Sequence, residues 1–253
     1  MRYVQGELDG ARDALTHALA AAHGAGDMEM VAHAENLFGH VEHAAGNVTA
    51  ARDRFTHSVR EFQARAIAWG HGNALSGMAG VALATGDTDT AERLLDEATT
   101  ALRVAGPWFQ LLTLYVRAVL AVRRRLPDRA IAVTRDSLAR IRDLDDRFAF
   151  VYTLPPLAAA AILKGDDAWA ARILGALDAV AERTGATFVD KSLSLAGPVG
   201  ATVETLKEQA EREVRARLGP DRWARAYAAG RSSSSVGSLI DEIDRVMERQ
   251  ARA

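Results

Sequence analysis

"AAGNVTAARDRF" at residues 44–55 and "ATGDTDTAERLL" at 84–95 share one grammar, forty residues apart. Each runs alanine, any residue, glycine, a small polar residue, three spacers, alanine, and an apolar anchor four positions on. The glycine-plus-polar marker returns at Gly6-Glu7 and Gly165-Asp166, and Leu126-Pro127-Asp128 fills the slot between. Counted from Gly6 through Gly46, Gly86, Leu126 and Gly165, the steps are 40, 40, 40 and 39 residues. A recurrence this regular marks stacked supersecondary units.

Each marker lies between two apolar-periodic runs. Ahead of Gly86, Leu75, Met78, Ala79, Ala82 and Leu83 form one stripe; behind it, Ala91, Leu95, Ala98 and Leu102 continue at helical spacing. Glycine with Asp or Asn between such runs closes one helix in the left-handed conformation and caps the next. Alternating β-branched patterns are scarce, so the unit reads as a helical hairpin. Residues twelve apart across each turn are small or modest: Gly39 and Ala51, Ala79 and Ala91, Val119 and Ile131, Ala158 and Ala170. They let helix axes approach, while Phe38, Met78, Phe55, Leu95 and Leu174 fill the remaining volume.

This pattern resembles the tetratricopeptide repeat (TPR), through Gly39, Gly46-Asn47, Ala51 and Phe55, and through Ala79, Gly86-Asp87, Ala91 and Leu95. The period is about six residues longer than the familiar one, which implies longer helices. Glu42 and Ala82 replace the aromatic of the first helix, and Thr134 with Arg135 stands where the fourth unit needs a large apolar residue. The expected fold is all-α, a right-handed α-solenoid of antiparallel helix pairs in units of about forty residues with a C-terminal helical cap.

Three segments follow from this reading: a repeat array over 1–183, a loop over 184–202 rich in Gly, Ser and Thr, and capping helices over 203–253. Thr205 and Glu208 offer a capping box to a helix at 203–218, which Gly219-Pro220 breaks. "DRWARAYAAG" reads as a short helix, "RSSSS" as a flexible joint, and 238–249 as an amphipathic helix using Leu239, Ile240, Ile243 and Val246. At the other end the helix at 7–23 lacks a leading partner, so Leu8, Ala11, Leu15 and Leu19 are expected at an exposed face. A longer protein ahead of Met1, a misassigned start, or a second chain such as a homodimer partner would each account for it; the first is preferred.

"DDAWAARILGALDAVAERTGA" and "RARLGPDRWARAYAAGR" resemble the C-terminal end of the large ATP-binding LuxR-type transcriptional regulators of bacteria. In that family a nucleotide-binding domain precedes an array of helical repeats. Neither a G-x-x-x-x-G-K-[ST] phosphate loop nor a helix-turn-helix is legible here, so the resemblance implies a sensing module alone, with an upstream ATP-binding domain as partner.

Composition narrows the chemistry. Lys and Arg number 31 against 33 Asp and Glu, a net charge of −2, so no general pull toward nucleic acid or an anionic membrane exists. The absence of cysteine excludes disulfides, thiolate zinc sites and cysteine nucleophiles, and fits a cytoplasmic protein. No signal core or membrane-length apolar run is present. No H-E-x-x-H or G-x-S-x-G motif occurs, and "GHGNALSG" at 70–77 is a helix start rather than a dinucleotide loop. The expectation is a non-enzyme without cofactor or metal.

His33, His40 and His43 share one helix, and first helices line the concave surface of TPR-like hairpins. The resemblance places His33, Asn36, His40, Asn73, Ser76, Thr113, Val116 and Tyr152 in that groove, facing a protein, a peptide or a small-molecule effector. A solvated polar face is the alternative. Trp69 and Trp169 read as wedges between hairpins, Trp108 as the start of a helix opened by Pro107, and "RRR" at 123–125 as a helix end. Pro155 and Pro156 fall in an apolar run and either begin a helix, the preferred reading, or kink one at the groove. A free-standing adaptor that binds a partner peptide or helix is the second functional reading.

Overall fold

A computed structural model describes residues 7–144, 149–185, 203–232 and 235–251. Among them the fold is all-helical, without strands. Its elements are α1 (Leu8–Ala25), α2 (Met28–Ala44), α3 (Val48–Ala64), α4 (Ala68–Ala84), α5 (Thr88–Ala101), α6 (Pro107–Arg123), α7 (Pro127–Leu144), α8 (Phe150–Leu163), α9 (Asp167–Thr184), α10 (Val203–Leu218), α11 (Pro220–Ser232) and α12 (Val236–Ala251). Two compact units divide within α6: the first runs to Val116, and the second takes Arg117 onward.

One turn design recurs. At Gly46 the backbone φ is +82°; Gly46 N donates to His43 O at 3.0 Å and Asn47 N to Glu42 O at 2.8 Å. These paired bonds satisfy carbonyls that the helix end leaves bare. Gly86 with Asp87 and Gly165 with Asp166 repeat them, as do Gly26 with Asp27, at the junction between successive hairpins. The residue that closes one helix then caps the next: Asp27, Asp87 and Asp166 accept from the amides of Met30, Thr90 and Trp169. Asn47 holds the position differently, its amide donating to Glu42 Oε2 at 2.6 Å.

Ala66 and Arg125 make the same turn at φ +56° without being glycine. Arg125, not Leu126, therefore occupies the left-handed position of the fourth marker, and the regular slot shifts back by one residue. Leu126 takes the following place, donating to Ala121 O at 2.8 Å.

In the first unit each helix from α1 to α4 packs on its successor, and α2 also touches α4. The apolar stripe of α1 is not left open as expected: Ala11, Leu19 and Ala22 are buried, and Leu15 and Leu19 join Val31, Ala34 and Phe38 of α2 in one cluster. Glycines admit the rings of α3. A methyl added at Gly39 would lie 2.7 Å from Phe55 Cε1, one at Gly77 would collide with the same ring, and one at Gly70 with Phe62. Phe55 meets Gly77, while two turns further along α3 Phe62 meets Gly70, two turns earlier on α4, so these helices run in opposite directions. Both rings are fully buried, each removing apolar surface worth roughly 1.5–3 kcal/mol. All eight of the residues spaced by twelve are buried as well.

In the second unit α7 packs on α8 and α8 on α9; α10 and α11 return to α9, and α12 to α7. Pro155 and Pro156 lie inside α8 rather than at its start, costing two helical hydrogen bonds. Complete burial of Leu154, Leu157, Ala160 and Ala161 on the same helix opposes that cost. Gly175 abuts the carbonyl of Tyr227 and Gly230 that of Arg172, a crossing of α9 and α11 close enough to leave no room for a Cβ on either. Leu239, Ile240, Ile243 and Val246 of α12 are buried, flanked by ion pairs of Arg135 with Asp244 and Arg172 with Glu242. Thr134 is buried, and Arg135 is turned outward to that pair.

α11 is longer than the sequence reading at both ends, and Thr205 is the third residue of α10 instead of its cap. The side chains of Thr205 and Glu208, the Gly6 marker and most of the 184–202 loop lie outside the described residues. No helix among those described is long and apolar enough to cross a membrane.

Candidate functional site

The site expected from the sequence falls on α2, α4 and the first half of α6. Asp27 fixes the start of α2, and the Ala66 turn fixes that of α4. From there the two helices meet residue by residue. The His33 ring stands edge-on to Trp69 at 5.5 Å; Asn36 Nδ2 donates to Asn73 Oδ1 at 2.7 Å; and His43 lies against Gly80. Numbers rise together on both helices, so α2 and α4 run side by side in the same direction. Between α4 and α6, Ser76 and Thr113 share a hydrogen bond of 2.7 Å, and Trp69 packs on Phe109 at 5.1 Å, one period on.

The expected groove residues divide into two groups. Asn36, Ser76, Thr113 and Val116 are buried at 2%, 0%, 4% and 5% exposure, and the three polar ones bond across neighbouring helices. Ser76 and Thr113 spend their hydroxyls on each other, whereas Asn36 Oδ1 is buried without a hydrogen-bond partner. His33, His40 and Asn73 are half-buried and border the surface. Tyr152 belongs to the second unit, on α8, half-buried, where burial raises its phenol to about 12.

Met30 and Leu37, two turns apart on α2, are 48% and 43% exposed. Sequence reasoning missed them because apolar residues in a periodic run read as core. No spacing signal separated them, because both border the stripe of Val31, Ala34, Phe38 and Val41 that faces the interior. Trp108 at 55% and Val104 at 85% form a second exposed apolar point, with Trp108 edge-on to Phe109. Trp69 contacts His33, Phe62 and Phe109, the wedge expected of it.

Electrostatically this surface is quiet. Burial pushes His40 down to about 4, with His43 adding to the effect and the bond to Asn73 opposing it. Burial also lowers His33, against the nearby carboxylate of Glu29. Arg54 is committed to both oxygens of Glu35 and lies over the Phe38 ring at 4.3 Å. Arg12 reaches Glu42 at 2.8 Å. Among the described residues no group of three His, Asp or Glu is placed to hold a metal ion. What remains is a surface of exposed apolar side chains bordered by neutral imidazole and amide groups, suited to binding by shape and hydrogen bonding.

Comparisons with protein-family models, with curated proteins and with solved structures found no match to this chain.

Proposed function

We propose that the first unit is a TPR-like, right-handed α-solenoid of antiparallel helix pairs, and that the surface of its first helices receives a ligand or partner. The observation that carries this reading is the seam from His33–Trp69 through Asn36–Asn73 to Ser76–Thr113, which sets α2, α4 and α6 side by side. A stack whose first helices align this way presents one continuous face. On it, Met30 and Leu37 offer apolar contact beside His33, His40 and Asn73. The protein then acts without catalysis, as the sensing module of a cytoplasmic bacterial transcriptional regulator. Occupancy of the face biases the curvature of the stack and so a neighbouring ATP-binding domain. Within the second unit, the helices after α9 serve as a cap on α7 and α9.

The exposure of Met30 and Leu37 also favours the adaptor reading, in which a partner's amphipathic helix or peptide lies along α2. A thermal-shift screen of peptides and metabolites tests the face common to both. A ligand at about a hundred times its Kd adds about 2.7 kcal/mol. Met30→Ser with Leu37→Ser removes that gain while leaving the fold intact; an unchanged gain contradicts this placement of the site. Mass spectrometry of the host's native polypeptide separates the readings: peptides of this chain within a longer protein carrying a phosphate loop support the regulator.

A further inference from the structure

α12 carries its apolar residues on one stripe: Leu239, Ile240, Ile243 and Val246 are all buried. Glu242 and Asp244 stand one residue either side of Ile243, so at about 100° per residue their carboxylates leave the stripe on opposite flanks. They reach different helices. Asp244 pairs with Arg135 of α7, and Glu242 with Arg172 of α9 at 3.1 Å. We propose that the face of α7 and α9 beneath α12 is a docking site for an acidic amphipathic helix of a partner protein, with α12 as its resident until such a helix replaces it.

The neighbouring α11 is seated permanently. Gly175 and Gly230 let its backbone meet that of α9 with no room for a Cβ, Trp223 is buried, and Tyr227 and Arg231 bind Asp178 and Glu182 of α9. α12 is held differently. Its ion pair with α7 lies at the rim, the side chains of Arg135 and Asp244 being 46% and 39% exposed, and solvent weakens such pairs. A Cβ added at Gly237, the one glycine of α12, would meet nothing within 4 Å among the described residues, so no close backbone crossing keys that end in place. The three residues joining α11 to α12 are all serine and bring no apolar anchor. α12 therefore opens while α11 stays on α9, a local release short of global unfolding.

As a ligand for this face α12 is modest. Its buried stripe runs over residues 239–246, about two turns of a helix of 16 residues, and Met247 beside it is 37% exposed. A partner helix that prolongs the stripe gains contacts that α12 does not make. A second copy's α12 gains none: it brings identical contacts and competes with a helix tethered by three residues, whose effective concentration is of about millimolar order. Recognition of the partner then rests on apolar residues spaced as 239, 240, 243 and 246, with carboxylates on both flanks to meet Arg135 and Arg172. The site lies wholly within the second unit and owes nothing to the face of α2 proposed above.

A fluorescein-labelled peptide of residues 235–251 serves as the probe, added to the full chain and read by anisotropy. It should bind the Asp244→Arg chain saturably, and about five- to tenfold tighter than the unaltered chain, because Arg135 repels the altered resident. The same peptide carrying Asp244→Arg should prefer the Arg135→Asp chain over the unaltered chain by about tenfold or more. Hydrogen exchange on the unaltered chain serves if a variant fails to fold: α12 should open as a unit before α7, α9 and α11. No binding to the Asp244→Arg chain, equal affinity of the first peptide for both chains, no preference of the charge-reversed peptide, or α12 protected as well as α9 would overturn the proposal. So would dimers in native mass spectra that Asp244→Arg abolishes, since they give the face to a second copy.

Discussion

Asn36 Nδ2 donates to Asn73 Oδ1 at 2.7 Å, joining two helices across thirty-seven residues of chain. Asn36 is 2% exposed, so this bond forms where water does not compete and where loss of one partner strands the other. Asn73→Ala is expected to destabilise the protein by about 1–3 kcal/mol. Asn36→Leu with Asn73→Leu is expected to cost less than the sum of the single changes, because neither polar group is then left buried alone. A double-mutant cycle read by urea unfolding checks both; strict additivity would mean that the pair is not coupled.

Phe55 fills space that Gly39 and Gly77 leave open on either side of it. Gly77→Ala should cost about 1–3 kcal/mol through overpacking, and Phe55→Leu in the same chain should recover part of it. Gly230→Ala, which meets the backbone carbonyl of Arg172, admits no such rescue. Thermal midpoints of the three variants distinguish ring from backbone collision.

Ala66 and Arg125 hold φ at +56°, where a Cβ crowds the following carbonyl. Relief of roughly 1–2 kcal/mol, reduced by the added freedom of the unfolded chain, predicts net stabilisation of about 0.5–1 kcal/mol for Ala66→Gly and for Arg125→Gly. Gly86→Ala, at φ +83°, should destabilise instead. Chemical denaturation gives the signs directly, and a destabilised Ala66→Gly would contradict the turn assignment.

Stability should fall with acid before the carboxylates titrate. His40 has its value lowered from 6.5 to about 4 in the folded state, mainly by burial. The unfolded chain therefore binds the proton first. The contribution is whole above pH 6.5, is lost progressively as pH falls toward 4, and reaches on the order of 3 kcal/mol. Glu42 is lowered as well, because the bonds from Arg12 and Asn47 outweigh its burial, and its share is lost below about 4.5. Urea unfolding at pH 7.5, 6 and 4.5 should show the upper arm flattened in His40→Gln and the lower arm retained.

Much of the fold was legible because glycine announces a left-handed turn. Gly46, Gly86 and Gly165 gave the forty-residue rhythm at the correct positions. Ala66 hid the half-period, since nothing in an alanine signals φ +56°, and Arg125 hid behind the more conspicuous Leu126-Pro127-Asp128. Pro155 and Pro156 misled for the opposite reason: a strong local preference yielded to the burial of Leu154 and Leu157. Of the eight residues expected in the groove, His33, His40, Asn73 and Tyr152 are half-buried and the other four are buried. The sequence could not tell a polar side chain facing outward from one bonded to the next helix, as Asn36 and Ser76 are. Nor could it tell an apolar residue in the core from one beside it, as Val31 is from Met30. Both distinctions depend on how α2 is rotated against α1 and α4, which spacing within one helix does not contain.

The side-by-side setting of α2 and α4 is the claim on which the rest depends, and the absence of cysteine makes it directly measurable. Asn36→Cys with Asn73→Cys, placed in the otherwise cysteine-free chain, should be bridged by a short bifunctional thiol cross-linker, visible as one added linker and no free thiol in the intact mass. Asn36→Cys with Asp96→Cys, on the exposed face of α5, should not. Two free thiols persisting in the first variant while it remains folded would contradict the account.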